Sequence, residues 1–350
     1  MKFVIHIGMG KTGTSAIQSV LAQHSAQLEQ QGVKYFGRWL GDEAGKRNGR
    51  LGQKDFFKAS DAEKALHAKE IFAQAKALHR SDKLKTFVLS NEAYWSRAND
   101  LKPFLDELKK HAEVEIVGYV RDPAGWLPSA YCQWGVVHKV YKDNLLDYPT
   151  MAETLMERYE RVKDWLDHFR DDLTIRHYDA VESVVADFLA NLGVELTVRR
   201  DRSYMRRSDA ELLLRALVND RQEGKTRGTE FDDMMQWKDA LAGPSLPDVA
   251  GMTLDYSQTQ NIIDAHVEDL KLYEQEFGID LLARKAKEQA PIDMNDLRLG
   301  MVDVLTKLVI SQGARIRELE TKMAANSPMS ARRAERLAAR ARRAAAADED

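Results

Sequence analysis

The segment from Phe3 to Leu21 constrains this chain more than any other. Phe3 to Gly8 is an apolar run of β-forming residues; a turn with glycines at 8, 10 and 13 follows, and Ala16, Ile17, Val20 and Leu21 then recur at helical spacing. Strand, glycine loop and helix in immediate succession form a β–α unit, and the pattern returns. A helical stretch from Asp61 to Leu78 leads into the strand Thr86 to Ser90, which ends at Asn91 and Glu92. Helical spacing from Leu101 to Lys110 leads into the strand Val114 to Val120, which ends at Arg121, Asp122 and Pro123. Three such repeats, each with polar residues at the strand's C-terminal end, predict an α/β fold with a central parallel sheet flanked by helices. Ligands on such sheets bind at those ends.

Beyond Pro123 the pattern predicts helices from about Met151 to Phe169, a fourth strand at Leu173 to His177, and a helix from Val181 to Leu192 closed by Gly193. The expected organisation is a core over 1–210, a mostly helical extension over 211–325 packed on it, and a low-complexity Ala/Arg tail over 326–350. In the extension Leu297, Met301, Val304 and Leu308, then Ile316, Leu319 and Met323, follow three-and-four spacing, which suits either a helix docked on its own domain or a dimerising coil.

Composition excludes several classes. The chain has 350 residues with 52 Lys+Arg against 55 Asp+Glu, a formal charge of −3, so bulk attraction to nucleic acid or an anionic membrane is not expected. A 44% hydrophobic content at this length supports a substantial core. The single cysteine, Cys132, leaves no disulfide framework and no thiolate-rich metal site, as in a reducing compartment. The start lacks the features of a signal peptide, and the most apolar stretch, Met301 to Ile310, is interrupted by Asp303 and Lys307. The expected address is cytoplasmic.

The sharpest chemical signal is the loop Gly8 to Ser15. A glycine turn lets backbone N–H groups converge on an anion, and the following helix N-terminus adds partial positive charge. Lys11 supplies a full charge, and Thr12, Thr14 and Ser15 supply hydroxyls. This is not a Walker loop, which would need glycine at position 5, where Ile5 stands. Nor does either following strand carry a carboxylate in its apolar interior, where Mg²⁺ would be held; Glu115 stands at the N-terminal end of the second. The second signal is Arg121-Asp122-Pro123 with Ser129 eight residues beyond Arg121. Arginine can clamp a phosphate through two parallel N–H bonds and a nearby serine can add a third donor.

In this order the two motifs resemble the sulfotransferase family that uses 3′-phosphoadenosine 5′-phosphosulfate (PAPS). The resemblance lies in Lys11-Thr12-Gly13-Thr14-Ser15 and in Arg121-Asp122-Pro123 with Ser129, covers about residues 3 to 135 with specific motifs, and extends more loosely to about 210. It implies the P-loop-like sulfotransferase fold, with PAPS as co-substrate and no metal. Gly10, Lys11 and the loop to Ser15 would bind the 5′-phosphosulfate; Arg121 and Ser129 would bind the 3′-phosphate. Gly10 departs from the proline common before the lysine, which makes the loop less rigid and leaves its charge intact.

Glu92 resembles the general base of glycan-type members, where small-molecule members use histidine, so the expected acceptor is a hydroxyl of a carbohydrate or glycan. Lys11 and Glu92 are the expected catalytic pair, with His138 and His6 as other candidate bases. Trp39, Trp95, Trp126 and Trp134 fall in or beside these loops, either offering flat faces to a sugar or packing the loops onto the sheet. Arg38, Lys46, Arg47, Arg50, Lys139 and Lys142 suit an anionic acceptor or a solvated surface, and the basic stretch Arg199 to Arg207 could close over a nucleotide. Two other functions fit parts of the pattern: a nucleotide-dependent phosphotransferase, and a nucleotide-binding assembly protein without catalysis. A homodimer through the C-terminal helix is compatible with all three.

Overall fold

The computed structural model describes residues 1–38, 42–43, 46–47, 53–139, 141, 144–196, 209–220, 225 and 246–325. Trp39, Arg50, Lys142, the basic stretch Arg199 to Arg207 and the tail from 326 lie outside them. Two compact units divide the chain: residues 1–206 with 215–291, and residues 207–214 with 292–350.

The first unit is built on five parallel strands: β1 (Lys2–His6), β2 (Val33–Tyr35), β3 (Thr86–Ser90), β4 (Glu113–Val120) and β5 (Leu173–His177), in the order β2-β3-β1-β4-β5. The parallel sheet expected from the β–α repeats is present. β1 is central, and its residues Phe3 to His6 are all buried, because a parallel strand covered on both faces has no solvent side. β2 was not expected; three residues with one lysine are too short to show a periodicity.

Helices cover the sheet. α1 (Thr14–Gln23) and α2 (Ser25–Gln30) follow β1. α3 (Asp61–Asp82) starts at a capping box in which the Ser60 hydroxyl accepts from the Glu63 amide and the Glu63 carboxylate accepts from the Ser60 amide. It packs against α4 (Ala98–Lys109), which precedes β4. α5 (Pro123–Tyr131) starts at the proline of the Arg-Asp-Pro turn, where a missing N–H costs nothing, and runs into a π-helical turn, Cys132–Val137. The helices expected up to Phe169 are α6 (Tyr148–Glu160) and α7 (Val162–Phe169). α8 (Val184–Asn191) ends before Gly193, whose φ of +67° is the left-handed conformation expected there. α9 (Asp209–Asp220) spans the boundary between the units. α10 (Leu246–Leu254), α11 (Thr259–Ala265) and α12 (Val267–Phe277) belong with the sheet, and all three pack on α6. The second unit contains the long helix α13 (Met294–Ala325). Among the described residues no helix is long and apolar enough to cross a membrane.

The strand order sets the site. The chain leaves β1 toward β2 and leaves the adjacent β4 toward β5, so the two connections diverge and open a crevice at the strands' C-terminal ends. Ladder bonds continue past β1 on both sides: the Ile7 amide donates to Val117 at 2.9 Å, and the Asn91 amide donates to the His6 carbonyl at 3.0 Å.

Gly118 on β4 lies under this edge. A Cβ there would stand 2.8 Å from Ile175 Cδ1, 3.1 Å from the Trp95 ring and 3.3 Å from Ile7 Cγ1. Gly118→Val should therefore destabilise the protein by about 1–3 kcal/mol through overpacking, measured by urea denaturation, with Gly118→Ala losing less.

Candidate functional site

The loop after β1 is shaped by its glycines. A Cβ on Gly8 would come within 2.5 Å of Thr14 Oγ1, and one on Gly10 within 2.7 Å of the Trp134 ring. Gly13 has φ +81° with Val184 only 2.5 Å from a built Cβ, so neither its backbone nor its surroundings admit a side chain. Lys11 adopts the left-handed region without being glycine, at φ +69°, a conformation that costs on the order of 1 kcal/mol and occurs preferentially at functional turns. Thr12 is buried and its hydroxyl donates to the Met9 carbonyl at 2.7 Å, which closes the turn. From α5, the Trp126 indole donates to the Gly10 carbonyl at 2.8 Å.

α1 begins at Gly13 with no side-chain cap and no acidic residue in its first turn. Thr14 is buried, and its Oγ1 has no partner among the described residues. An uncapped helix start beside an orphaned buried hydroxyl and an exposed lysine is a cradle suited to an anion.

On the neighbouring strand end, Arg121 is held rather than loose. Its Nε donates to Asp179 Oδ1 at 3.3 Å, its guanidinium lies 5.2 Å over the Tyr178 ring, and its carbonyl accepts from the Tyr159 hydroxyl at 2.7 Å. Asp179 also accepts from the Asp122 amide at 2.9 Å, and Asp122 Oδ1 lies 2.8 Å from His177 Nε2. Burial pushes the Asp122 carboxyl up, opposed by its bond to His177. Ser129 is half-buried on α5. Asp122, His177 and Asp179 place three possible metal-ligand atoms within 4.8 Å of one another, as do Glu160, His266 and Asp269. The Arg121 guanidinium on Asp179 works against a cation at the first group.

On the other side of β1, Asn91 is buried and caps a 3₁₀ turn, Glu92–Ser96, by accepting from the Ala93 amide at 3.0 Å. That turn directs Glu92 outward, where it is exposed. Gln18 of α1 donates to the Ser90 carbonyl at 3.0 Å and to Glu92 Oε2 at 3.3 Å, which ties the carboxylate to the helix that begins at the anion cradle. Nearby, burial pushes the Tyr35 hydroxyl up to about 12, opposed by the Arg38 guanidinium it bonds and reinforced by Glu92.

His6 is fully buried, its Nδ1 2.7 Å from Ser90 Oγ and its Nε2 without a partner among the described residues. Burial holds its pKa near about 3, so it is a neutral core ring. His138 is half-buried at the end of the π-helical turn. Lys139 is buried, and its ammonium donates to the Asn219 carbonyl at 3.1 Å, a structural use rather than an acceptor-facing one.

Three of the four loop tryptophans are described. Trp95 and Trp126 are fully buried and pack the loops: the Trp95 indole donates to the Arg158 carbonyl at 2.7 Å. Trp134 is half-buried, abuts Gly10 and carries the Arg158 guanidinium 4.0 Å above its ring. Burial lowers the Arg158 pKa, and no described carboxylate lies within ion-pair distance of it. Sequence reasoning missed Gln18, Asp179 and Arg158. Gln18 was readable as a polar residue within the apolar stripe of α1; Arg158 lies on a helix remote in sequence and has no local signal.

No family model and no curated protein matches the chain. Among solved structures it is similar to the sulfotransferase domain from the Synechococcus PCC 7002 olefin synthase, at 13% identity over 76% of this chain and 94% of that one, with a TM-score of 0.31. It is also similar to the sulfotransferase domain from the curacin biosynthetic pathway, at 13% identity over 76% of this chain and 96% of that one, with a TM-score of 0.33.

The neutral His6 makes stability depend on pH. The unfolded ring protonates near 6.5 and the folded ring only near about 3, so between these values the unfolded state holds the extra proton. Stability is complete above the upper value and falls by up to about 1.4 kcal/mol per pH unit below it. Urea denaturation at pH 7 and pH 5 should show a smaller pH-dependent loss in His6→Gln than in the wild type.

Proposed function

We propose that this chain is a sulfotransferase that moves a sulfuryl group from PAPS to an acceptor hydroxyl. The observation that carries the proposal is the flanking of the β1 loop: Gln18 links Glu92 to α1 on one side, and Trp126 links α5, which starts at the Arg121 turn, to Gly10 on the other. An anion cradle, a carboxylate and a held arginine thus share one sheet edge.

In this proposal the cradle of Gly10 to Ser15 holds the 5′-phosphosulfate, and Arg121 with Ser129 holds the 3′-phosphate. Glu92 accepts the acceptor's proton as the new S–O bond forms and the bond from sulfur to the 5′-phosphate oxygen breaks. Lys11 and the first-turn amides of α1 stabilise the negative charge that gathers on the leaving phosphate. Arg158, stacked on Trp134 beside Gly10, supplies a second cation next to the loop. Binding requires no metal in this scheme. The carboxylate at the end of β3 favours a carbohydrate or glycan hydroxyl, and a cytoplasmic address suits a chain with a single cysteine.

Adenosine 3′,5′-bisphosphate should bind at least tenfold more tightly than AMP by calorimetry, since charge-assisted bonds to the 3′-phosphate contribute roughly 1.5–3 kcal/mol each. Arg121→Ala should remove that preference. Equal affinities in the wild type would withdraw the donor assignment, and a thermal shift with Mg-ATP alone would favour a phosphotransferase.

Glu92→Gln keeps size and the Gln18 contact but cannot take a proton. Turnover with any hydroxyl acceptor found by screening should fall by about 10²–10⁴ with bisphosphate affinity unchanged. A Gln variant within a few-fold of wild type would redirect the search for a base to His138.

A further inference from the structure

α13 is apolar on two faces, and only one of them is partly covered. Leu297 is buried and Met301, Val304 and Leu308 are half-buried. A second stripe is open to solvent: Val302 is 59% exposed, Leu305 38%, Val309 71%, Ile316 53%, Leu319 52% and Met323 74%. A helix apolar on both sides needs a partner for the second.

The open stripe steps by 3, 4, 3, 4, 3 and 4 residues from Val302 through Leu305, Val309, Gln312, Ile316 and Leu319 to Met323. That is three unbroken heptads with Val302, Val309, Ile316 and Met323 at a and Leu305, Gln312 and Leu319 at d. We infer that α13 pairs with α13 of a second copy of this chain as a parallel two-stranded coiled coil over residues 302–323.

Three features favour this occupant over others. β-branched residues at three of four a positions with leucine at two of three d positions are the combination that selects parallel dimers. Gln312, alone among the seam residues in being polar, can bond its own copy through paired amides only when the helices are in register, which penalises slipped pairings. Arg315 at g and Glu320 at e, five residues on, have the charge order that sets one helix against the next heptad of its partner. The segment also carries four basic and three acidic residues, a mixed set unlike the basic face of a membrane-surface helix. Gly300 and Gly313 fall at f and e, off the seam, so they lower helix propensity without opening a hole in the interface.

The test uses the full chain. Light scattering after gel filtration at micromolar concentration should give twice the 39.8 kDa chain mass. Val309→Glu combined with Ile316→Glu should give the single-chain mass with unchanged thermal unfolding of the sheet unit. Ile310→Glu, 65% exposed but at b, should remain dimeric. Leu319→Cys in a Cys132→Ser background should form a covalent dimer with oxidised glutathione, as only a parallel pair brings the two residues 319 together. A monomeric wild type, a double variant that stays dimeric, or a dimer that fails to crosslink would each overturn the inference.

Discussion

Enclosure of β1 is the constraint from which the rest of the site follows. The strand has neighbours on both edges and helices on both faces, so its residues Phe3 to His6 are all buried and the chain can meet solvent only past its end. The exit is narrow. The Thr14 hydroxyl, the Trp134 ring and the Val184 side chain each lie within 2.7 Å of where a Cβ would be, at Gly8, Gly10 and Gly13 respectively. Glycines at these positions admit close packing, and in the proposed site the same bareness would let backbone N–H groups approach an anion. Packing and the proposed anion binding therefore impose one requirement on the loop.

The C-terminal helices of the first unit explain how the Arg121 corner is supported. The Tyr273 hydroxyl of α12 donates to the Tyr159 carbonyl of α6 at 2.7 Å, and the Tyr159 hydroxyl donates to the Arg121 carbonyl at 2.7 Å. Burial pushes both phenols well above their ordinary range, so they serve as neutral donors at any physiological pH. Trp126 and Tyr159 meet edge to face at 5.4 Å, which joins this relay to the residue that holds Gly10. Helices far along the chain thus brace the proposed 3′-phosphate clamp without touching its guanidinium.

Charge is distributed accordingly. The imidazole nearest the loop, His6, is kept neutral by burial, while Lys11 and Glu92 are exposed. Arg158 lies between these extremes: its plane is covered by an indole, and its pKa is lowered because the charge is poorly hydrated. A partly dehydrated cation beside the proposed anion cradle would interact more strongly with an arriving oxyanion than a fully solvated one.

The β–α alternation was legible along the chain, because apolar strands and periodic helices are local consequences of side-chain spacing. Thr86–Ser90 and Leu173–His177 are strands with the bounds expected, and Gly193 has the left-handed backbone that its place after a helix demanded. The glycine loop and the Arg-Asp-Pro turn were legible for the same reason: each is a run of neighbours. Strand order was not, since nothing in β1 states that β3 and β4 will flank it. Nor was the difference between Lys11 and Lys139, equally basic in sequence, one exposed and the other buried against Asn219. Gln18 on Glu92, Asp179 on Arg121 and Arg158 on Trp134 are contacts between residues 24 or more positions apart. Only tertiary structure decides such pairs, because burial and hydrogen-bond partners depend on which elements pack together, and spacing along the chain carries no record of that.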